Sequence, residues 1–364
     1  MAPDLDSSLP PTDPSPGHGD RTVERWWDSG WARSLIRWES GLLLASVLVL
    51  ALGIDASSQF LTSGNLFYLC ISIGEVAVMT LPLTFIIITG EIDLSVASML
   101  GLASALVGYL WSHGWPMPAI IPTVLAVGLC AGAFNGLLVT RVGLPSLAVT
   151  IGTLTLYRGI AVILLGPNTI SSFPFSYTTI GVDTVPHTFL SYSALIFLIL
   201  AVVFGVILHF TPFGRSLYAI GANKEAATFA GIRVKRIKLL LFMVSGVVCS
   251  AAGILYTFRL STAVQNNGLG LELNVVAIVL LGGVSIFGGT GSMVGVVLAV
   301  FVLAGLQNAL FLTNFPESAL GIIPGILLLL SVLAPNASSF ARRARESVRR
   351  RQVRGRIAAA ARRA

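Results

Sequence analysis

The chain is short of charge. Asp, Glu, Lys and Arg together make up 11% of its 364 residues, whereas a soluble globular domain carries about a quarter. So few charged groups cannot cover a water-exposed fold of this length, while 55% of the residues are hydrophobic and the mean hydropathy is +0.85. Cysteine is scarce as well. Cys70, Cys130 and Cys249 lie far apart inside apolar runs, without metal-ligand spacing, and read as packing residues. No G-x-x-x-x-G-K-[ST] occurs, so the chain has no P-loop to cradle nucleotide phosphates. The glycine-rich "GGTGSMVG" at 288–295 is not a substitute: it has no Lys, follows no strand-like segment and reads G-x-G-x-x-x-G. Close helix packing and a tight turn account for it better. His113, His187 and His209 have no catalytic companion, and no Ser/His/Asp or Cys/His set is present. No catalytic residue and no metal ligand is assigned, and the chain is not expected to be an enzyme.

What the chain has is long apolar runs. Stretches close to the ~20 residues that cross a bilayer as a helix recur along it, and runs such as "LLLFMVSGVVCSAAGILY" lack the ~10-residue alternation of a membrane β-barrel. The expected fold is an all-α polytopic membrane protein of about ten transmembrane helices, at about 39–54, 68–89, 94–112, 118–139, 146–166, 191–211, 238–259, 273–288, 292–312 and 319–335. No internal sequence repeat stands out, although the topology allows two inverted five-helix halves.

Basic residues orient these spans. With the N-terminus inside, Arg21, Arg25, Arg33, Arg37, Arg141, six Lys or Arg at 213–238 and ten Arg from Arg342 onward all face the cytoplasm, 21 of the 23 in the chain. The outer loops at 55–67, 113–117, 167–190 and 313–318 contain none. The expected organisation is a disordered cytoplasmic tail at 1–38, a transmembrane domain at 39–336 with a cytoplasmic loop at 212–238, and a basic cytoplasmic tail at 337–364. Residues 1–20 lack a signal peptide's basic start. A cleaved signal at 33–57 is conceivable, but an anchoring first span is the better reading. The tail "ARRARESVRRRQVRGRIAAAARRA" suits an anionic membrane surface, and the lipid bilayer rather than nucleic acid is its expected partner.

The loop "FGRSLYAIGANKEAATFAGIRVKRIK" at 213–238 is the polar exception. Asn223 is a good N-cap and Gly231 a good C′ residue, so 224–230 can form about two helical turns. Phe229, Ala226 and Ala230 then share a face, with Lys224 and Glu225 toward the other side. Two readings stand: an amphipathic helix resting on lipid, or a small knob held by its flanking spans and docked on a cytoplasmic partner, because an isolated two-turn helix is unstable in water.

Other candidates sit in or beside the spans. Asp93 opens a span in an N-cap pattern with Ser95, and Glu91 adds a carboxylate at the same inner boundary, where it can be solvated or serve a cation-coupled step. Arg158 lies about eight residues inside its span, where charge is costly; it lines a pathway or pairs within the bundle, with Glu272 the candidate partner. Asn135, Gln307 and Asn308 are intramembrane amides, candidates for the pathway or for interhelical hydrogen bonds. Glu272 and Asn274 open a span on the outer side, candidates for the pathway, for capping or for contact with an external partner.

Four ordered segments carry a resemblance: "TGEIDLSVASMLGL" at 89–102, "GLPSLAVTIGTLTLYRGIA" at 143–161, "GRSLYAIGANKEAATFAGIRV" at 214–234 and "NGLGLELNVVAIVLLGGVSIFGGTGSMVG" at 267–295. Over residues ~65–335 the chain resembles permeases in the ribose, rhamnose and autoinducer-type branch of ABC importers. Glu91 and Ala97 stand where that family's motif has Gly. The resemblance implies a sugar-translocating subunit in a bacterial plasma membrane, both termini cytoplasmic, paired with a second permease. It implies a cytoplasmic ATPase that holds the ATP and Mg, no cofactor on this chain, and an external sugar-binding protein. It makes Asn223, Lys224, Glu225, Ala226, Phe229 and Gly231 the ATPase-coupling residues. Two rivals remain: a branched-chain amino acid ABC permease, a poorer match at "GEIDLSVA", and an ion-coupled secondary transporter, for which the available inner carboxylates are Glu91 and Asp93.

Overall fold

A computed structural model describes residues 30–331 and 333. The contacts divide the chain between Arg37 and Trp38; of the first unit only the opening of one helix is described, and all that follows concerns the second. The expected tails at 1–38 and 337–364 fall almost wholly outside the described residues.

The elements are α1 (Gly30–Ala56), α2 (Ser63–Ile88), α3 (Val96–Ser112), α4 (Met117–Leu137, running into a π turn at Leu138–Val142), α5 (Ser146–Leu165), α6 (Phe175–Val182) and α7 (Tyr192–Phe210). They continue with α8 (Pro212–Ala222), α9 (Lys224–Phe229), α10 (Val234–Leu260), α11 (Leu271–Leu281), α12 (Met293–Leu312), α13 (Glu317–Leu320) and α14 (Ile322–Ser331). No strand occurs among the described residues, only isolated bridges between Ile170 and Ala263 and between Thr184 and Ser191. Among the described residues seven helices are long and apolar enough to cross a membrane: α1 from Trp38, α2, α4 with its π turn, α5, α7, α10 and α12. The chain is an all-α multi-pass membrane protein.

Among the described residues seven of the ten expected spans coincide with these long helices, and the other three coincide with shorter apolar helices, α3, α11 and α14, so ten crossings are not established. At 1.5 Å per residue, the 17 residues of α3 reach about 25 Å and the 11 of α11 about 16 Å, short of a hydrocarbon core of ~30 Å. The span expected at 273–288 stops at Leu281 because Gly282 and the left-handed Gly283 (φ 85°) end the helical ladder. The one expected at 319–335 is broken at Gly321 into α13 and α14. Two helices were not expected at all. Pro212, just past the end of α7, is the first residue of α8, capped by the Thr211 side chain, which accepts from Gly214 N at 3.2 Å. The loop at 167–190 contains α6.

The centre of the bundle is α2, in which every residue from Gly74 to Ile88 is buried. It packs on α7, α10, α11 and α12. The tightest pairing is α4 on α10. Gly128, Gly132 and Gly136 recur one turn apart on α4, and a Cβ at any of them would strike Gly246, Ser250, Phe242 or Leu239 of α10. Small residues of this spacing let two backbones approach in lipid, where van der Waals packing replaces the hydrophobic drive. This fixes α10 as the scaffold against which the polar groups below are set.

Candidate functional site: an exposed short helix and buried polar junctions

At one end of the bundle α8 and α10 present α9 between them. Asn223 Oδ1 accepts from Ala226 N at 2.9 Å, and Gly231 takes φ 83° just past the helix. Ala227 is the residue that anchors α9 inward, clustered with Ile220 of α8 and Val234 of α10. Lys224, Glu225, Ala226 and Ala230 are exposed, and Phe229 is 92% exposed, a bare aromatic ring on a short capped helix.

Under this knob the chain is drawn together by glycine. Gly221, at the end of α8, lies so close to Ile88 O and Gly289 N that a Cβ would collide with both. Gly289, left-handed at φ 77°, donates its N–H to Ile88 O at 2.9 Å. Tyr218 of α8 donates its hydroxyl to Gly291 O at 2.7 Å. The glycine-rich segment read above as a tight turn is therefore a backbone junction joining α2, α8 and the α11–α12 connection.

Beside it lies the unwound segment 89–95 between α2 and α3. Glu91 is ion-paired with Lys238 of α10, their side chains 16% and 6% exposed. Neither this carboxylate nor Asp93 is left to solvent, contrary to the surface reading. Asp93 is wholly buried and does not cap α3. Its Oδ1 accepts from Ser95 N at 2.9 Å and Ser95 Oγ at 2.6 Å, and its Oδ2 from Ser245 Oγ of α10 at 3.2 Å. The network continues: Asn135 of α4 donates from Nδ2 to Ser95 Oγ at 2.9 Å, and Tyr157 of α5 donates its hydroxyl to Asn135 Oδ1 at 3.1 Å. Ser146, the first residue of α5, accepts from Ile92 N at 3.1 Å. Asn135 thus joins helices and has no exposed surface.

Three more polar groupings lie away from this segment. Arg158 does not ion-pair with Glu272. Its Nη1 donates to Asn267 O at 2.6 Å, in the connection before α11, and its Nε is buried without a partner among the described residues. Asn267 Nδ2 and Thr257 Oγ1 both donate to Ser104 Oγ, each at 2.7 Å. Glu272 and Asn274 stand half-buried at the start of α11. Asn308 pairs reciprocally with Asn65 of α2, at 2.8 and 3.0 Å, which is the interhelical role, whereas its neighbour Gln307 is half-buried.

The third grouping was missed. Glu75, in the middle of α2 and 1% exposed, accepts from Arg259 Nε of α10 at 3.0 Å, and the Arg259 guanidinium lies 4.9 Å from the Tyr256 ring centre. Glu75 Oε2 is buried without a partner among the described residues. The signal was present in the sequence: a carboxylate inside a long apolar run is costly and demands a partner. The inner carboxylates of this chain are therefore not confined to Glu91 and Asp93.

The helical bundle, with its broken and short helices, buried charged pairs and exposed capped helix, belongs to a chain whose relatives are transport permeases. Residues 65–332 match the family described as branched-chain amino acid transport system / permease component, and the chain belongs to that family. It is similar to the autoinducer 2 import system permease protein LsrC of Salmonella choleraesuis (strain SC-B67), with 31% identity over 293 residues, covering 80% of this chain and 83% of that protein. The counterpart in Escherichia coli O9:H4 (strain HS) is 33% identical over 288 residues, covering 79% and 83%. That of Shigella flexneri is 32% identical over 289 residues, again 79% and 83%. No solved structure matches the chain.

Proposed function

We propose that this chain is the translocating subunit of an ATP-driven importer for a sugar or sugar-like solute of the autoinducer 2 kind. The single observation that carries the reading is the exposed, doubly capped α9 with its bare Phe229, set on the α8–α10 frame, in a chain 31–33% identical to import permeases. The family description names branched-chain amino acids, but the curated relatives import autoinducer 2, and that favours a polyhydroxylated solute over an amino acid. The basic residues of 213–238 support an orientation with α9 and both termini in the cytoplasm of a bacterial cell and the start of α11 outside. ATP and Mg bind a separate ATPase seated on α9, this chain needs no cofactor, an external binding protein delivers the solute, and a second permease completes the pathway. Alternating access follows as nucleotide-driven closure of the ATPase pair displaces α9.

The test is energy coupling. In proteoliposomes holding the complex purified from its native membrane, uptake is expected to require ATP inside the ATPase compartment and to persist when ionophores collapse proton and sodium gradients. Uptake by the purified chain alone, driven by an ion gradient, would overturn the reading; Glu75 makes that a fair contest, because a secondary transporter needs such an intramembrane carboxylate.

A further inference from the structure

Two contacts bind the frame that carries α9, formed by α8 and α10, to the end of α2 and the segment that follows it. One is the glycine junction, where Gly221 abuts Ile88 and Gly289. The other is the ion pair between Lys238, one turn into α10, and Glu91 in the unwound segment 89–95. Both side chains are largely buried, so parting them would leave two uncompensated charges in a poorly solvated place, which is strongly unfavourable. Two residues on, Asp93 is fastened to Ser245, seven residues beyond Lys238 on the same face of α10. The segment 89–95 is thus clamped at two points to the helix that issues directly from the α9 turn. From that segment, bonds run to α4 through Ser95 and Asn135, and to α5 through Ile92 and Ser146.

We infer that the Glu91–Lys238 pair is the link that carries displacement of α9 into the transmembrane helices, by gripping the break between α2 and α3. The inference rests on the reading of α9 as the ATPase-docking helix and deepens it: Phe229 and its neighbours bind the partner, whereas Glu91 and Lys238 are positioning residues that touch neither partner nor solute. A buried charged pair suits this task because its energy changes steeply with separation, so α10 cannot move without the α2–α3 break following. Glu91 stands where the resembled motif has Gly, so this link is written into this chain by one side chain.

The experiment uses the assembled complex with Glu91→Gln, Lys238→Met and the exchanged Glu91→Lys/Lys238→Glu. Each single variant is expected to co-purify the ATPase as the unmodified chain does, yet to import about tenfold less solute per ATP hydrolysed, within the range of coupling between distant sites. The exchanged pair is expected to recover most of that loss, which a contact serving only local folding at either residue alone would not predict. Unchanged import per ATP in both single variants overturns the inference. A second measurement needs no ATPase. In the purified chain, Asn223→Ala, which removes the cap of α9, is expected to raise hydrogen exchange in 89–95, and to do so no longer when Glu91→Gln is added. Absence of that transmission with the pair intact also overturns it. If no ATPase accompanies even the unmodified chain, the docking reading fails, and the exchange measurement then decides the link by itself.

Discussion

Phe229→Ala separates docking from folding, because the structure places the ring almost wholly outside the packed protein. At 92% exposure the side chain contributes almost nothing to the fold, and a surface truncation of this kind stays within about 0.5 kcal/mol. On a partner, the same ring is an anchor. Burying a Phe side chain contributes roughly 1.5–3 kcal/mol, and truncating an interface anchor costs ~2 kcal/mol or more, about a thirtyfold rise in Kd. The assay is binding of the ATPase subunit to the chain in nanodiscs, read by interferometry, with thermal unfolding of the same sample as control. The expected result is unchanged unfolding and weakened binding by at least that factor, with Ala226→Glu, on the same exposed face, doing likewise. Ala227→Glu is the contrasting variant: it buries a charge beneath α9 and should unfold the α8–α10 corner. The reasoning is refuted if Phe229→Ala changes binding less than about threefold, or if cysteines placed at 224–230 react with lipid-phase probes and never crosslink to the ATPase.

Other outcomes follow from the buried groups. Glu75→Leu leaves the Arg259 guanidinium without its carboxylate and should lower unfolding stability by about 3 kcal/mol, with Glu75→Leu/Arg259→Met recovering more than half in a double-mutant cycle. Asp93→Ala strands three donors and should reduce yield of folded protein far more than Ser245→Ala, which removes one, as size-exclusion profiles will report. Arg158→Ala should reduce solute uptake while the ATPase still co-purifies, and wild-type uptake would remove Arg158 from the pathway. Gly221→Ala forces a methyl group into Ile88 O and should lower the melting temperature measured in detergent, even though the substitution is conservative in sequence.

The class of the protein was legible from composition and order of motifs. Scarce charge and repeated apolar runs dictate a helical membrane bundle whatever the packing, since backbone polar groups in lipid must be satisfied within helices. The caps of α9 were legible for a local reason: Asn223 and Gly231 act on backbone groups within three or four residues, so sequence neighbours are spatial neighbours. The same locality explains the errors at the breaks. An apolar stretch continues in sequence through Gly282 and Gly321, and only a left-handed turn or a change of direction tells where the helix stops.

Tertiary structure alone decided the pairings. Glu91 with Lys238 spans 147 residues, Glu75 with Arg259 spans 184, and Asp93 with Ser245 spans 152. Hydropathy records that a charge sits in or beside an apolar run but not which distant residue meets it, and it is the partner that determines whether the charge is solvated, a cap or a buried junction. Arg158 shows the point from the other side. Its cost in the membrane was evident from one residue, whereas its bond to the Asn267 carbonyl rather than to Glu272 depends on how α5 and the connection before α11 are brought together. That arrangement is set by helix packing over the whole bundle, which no local stretch of sequence encodes.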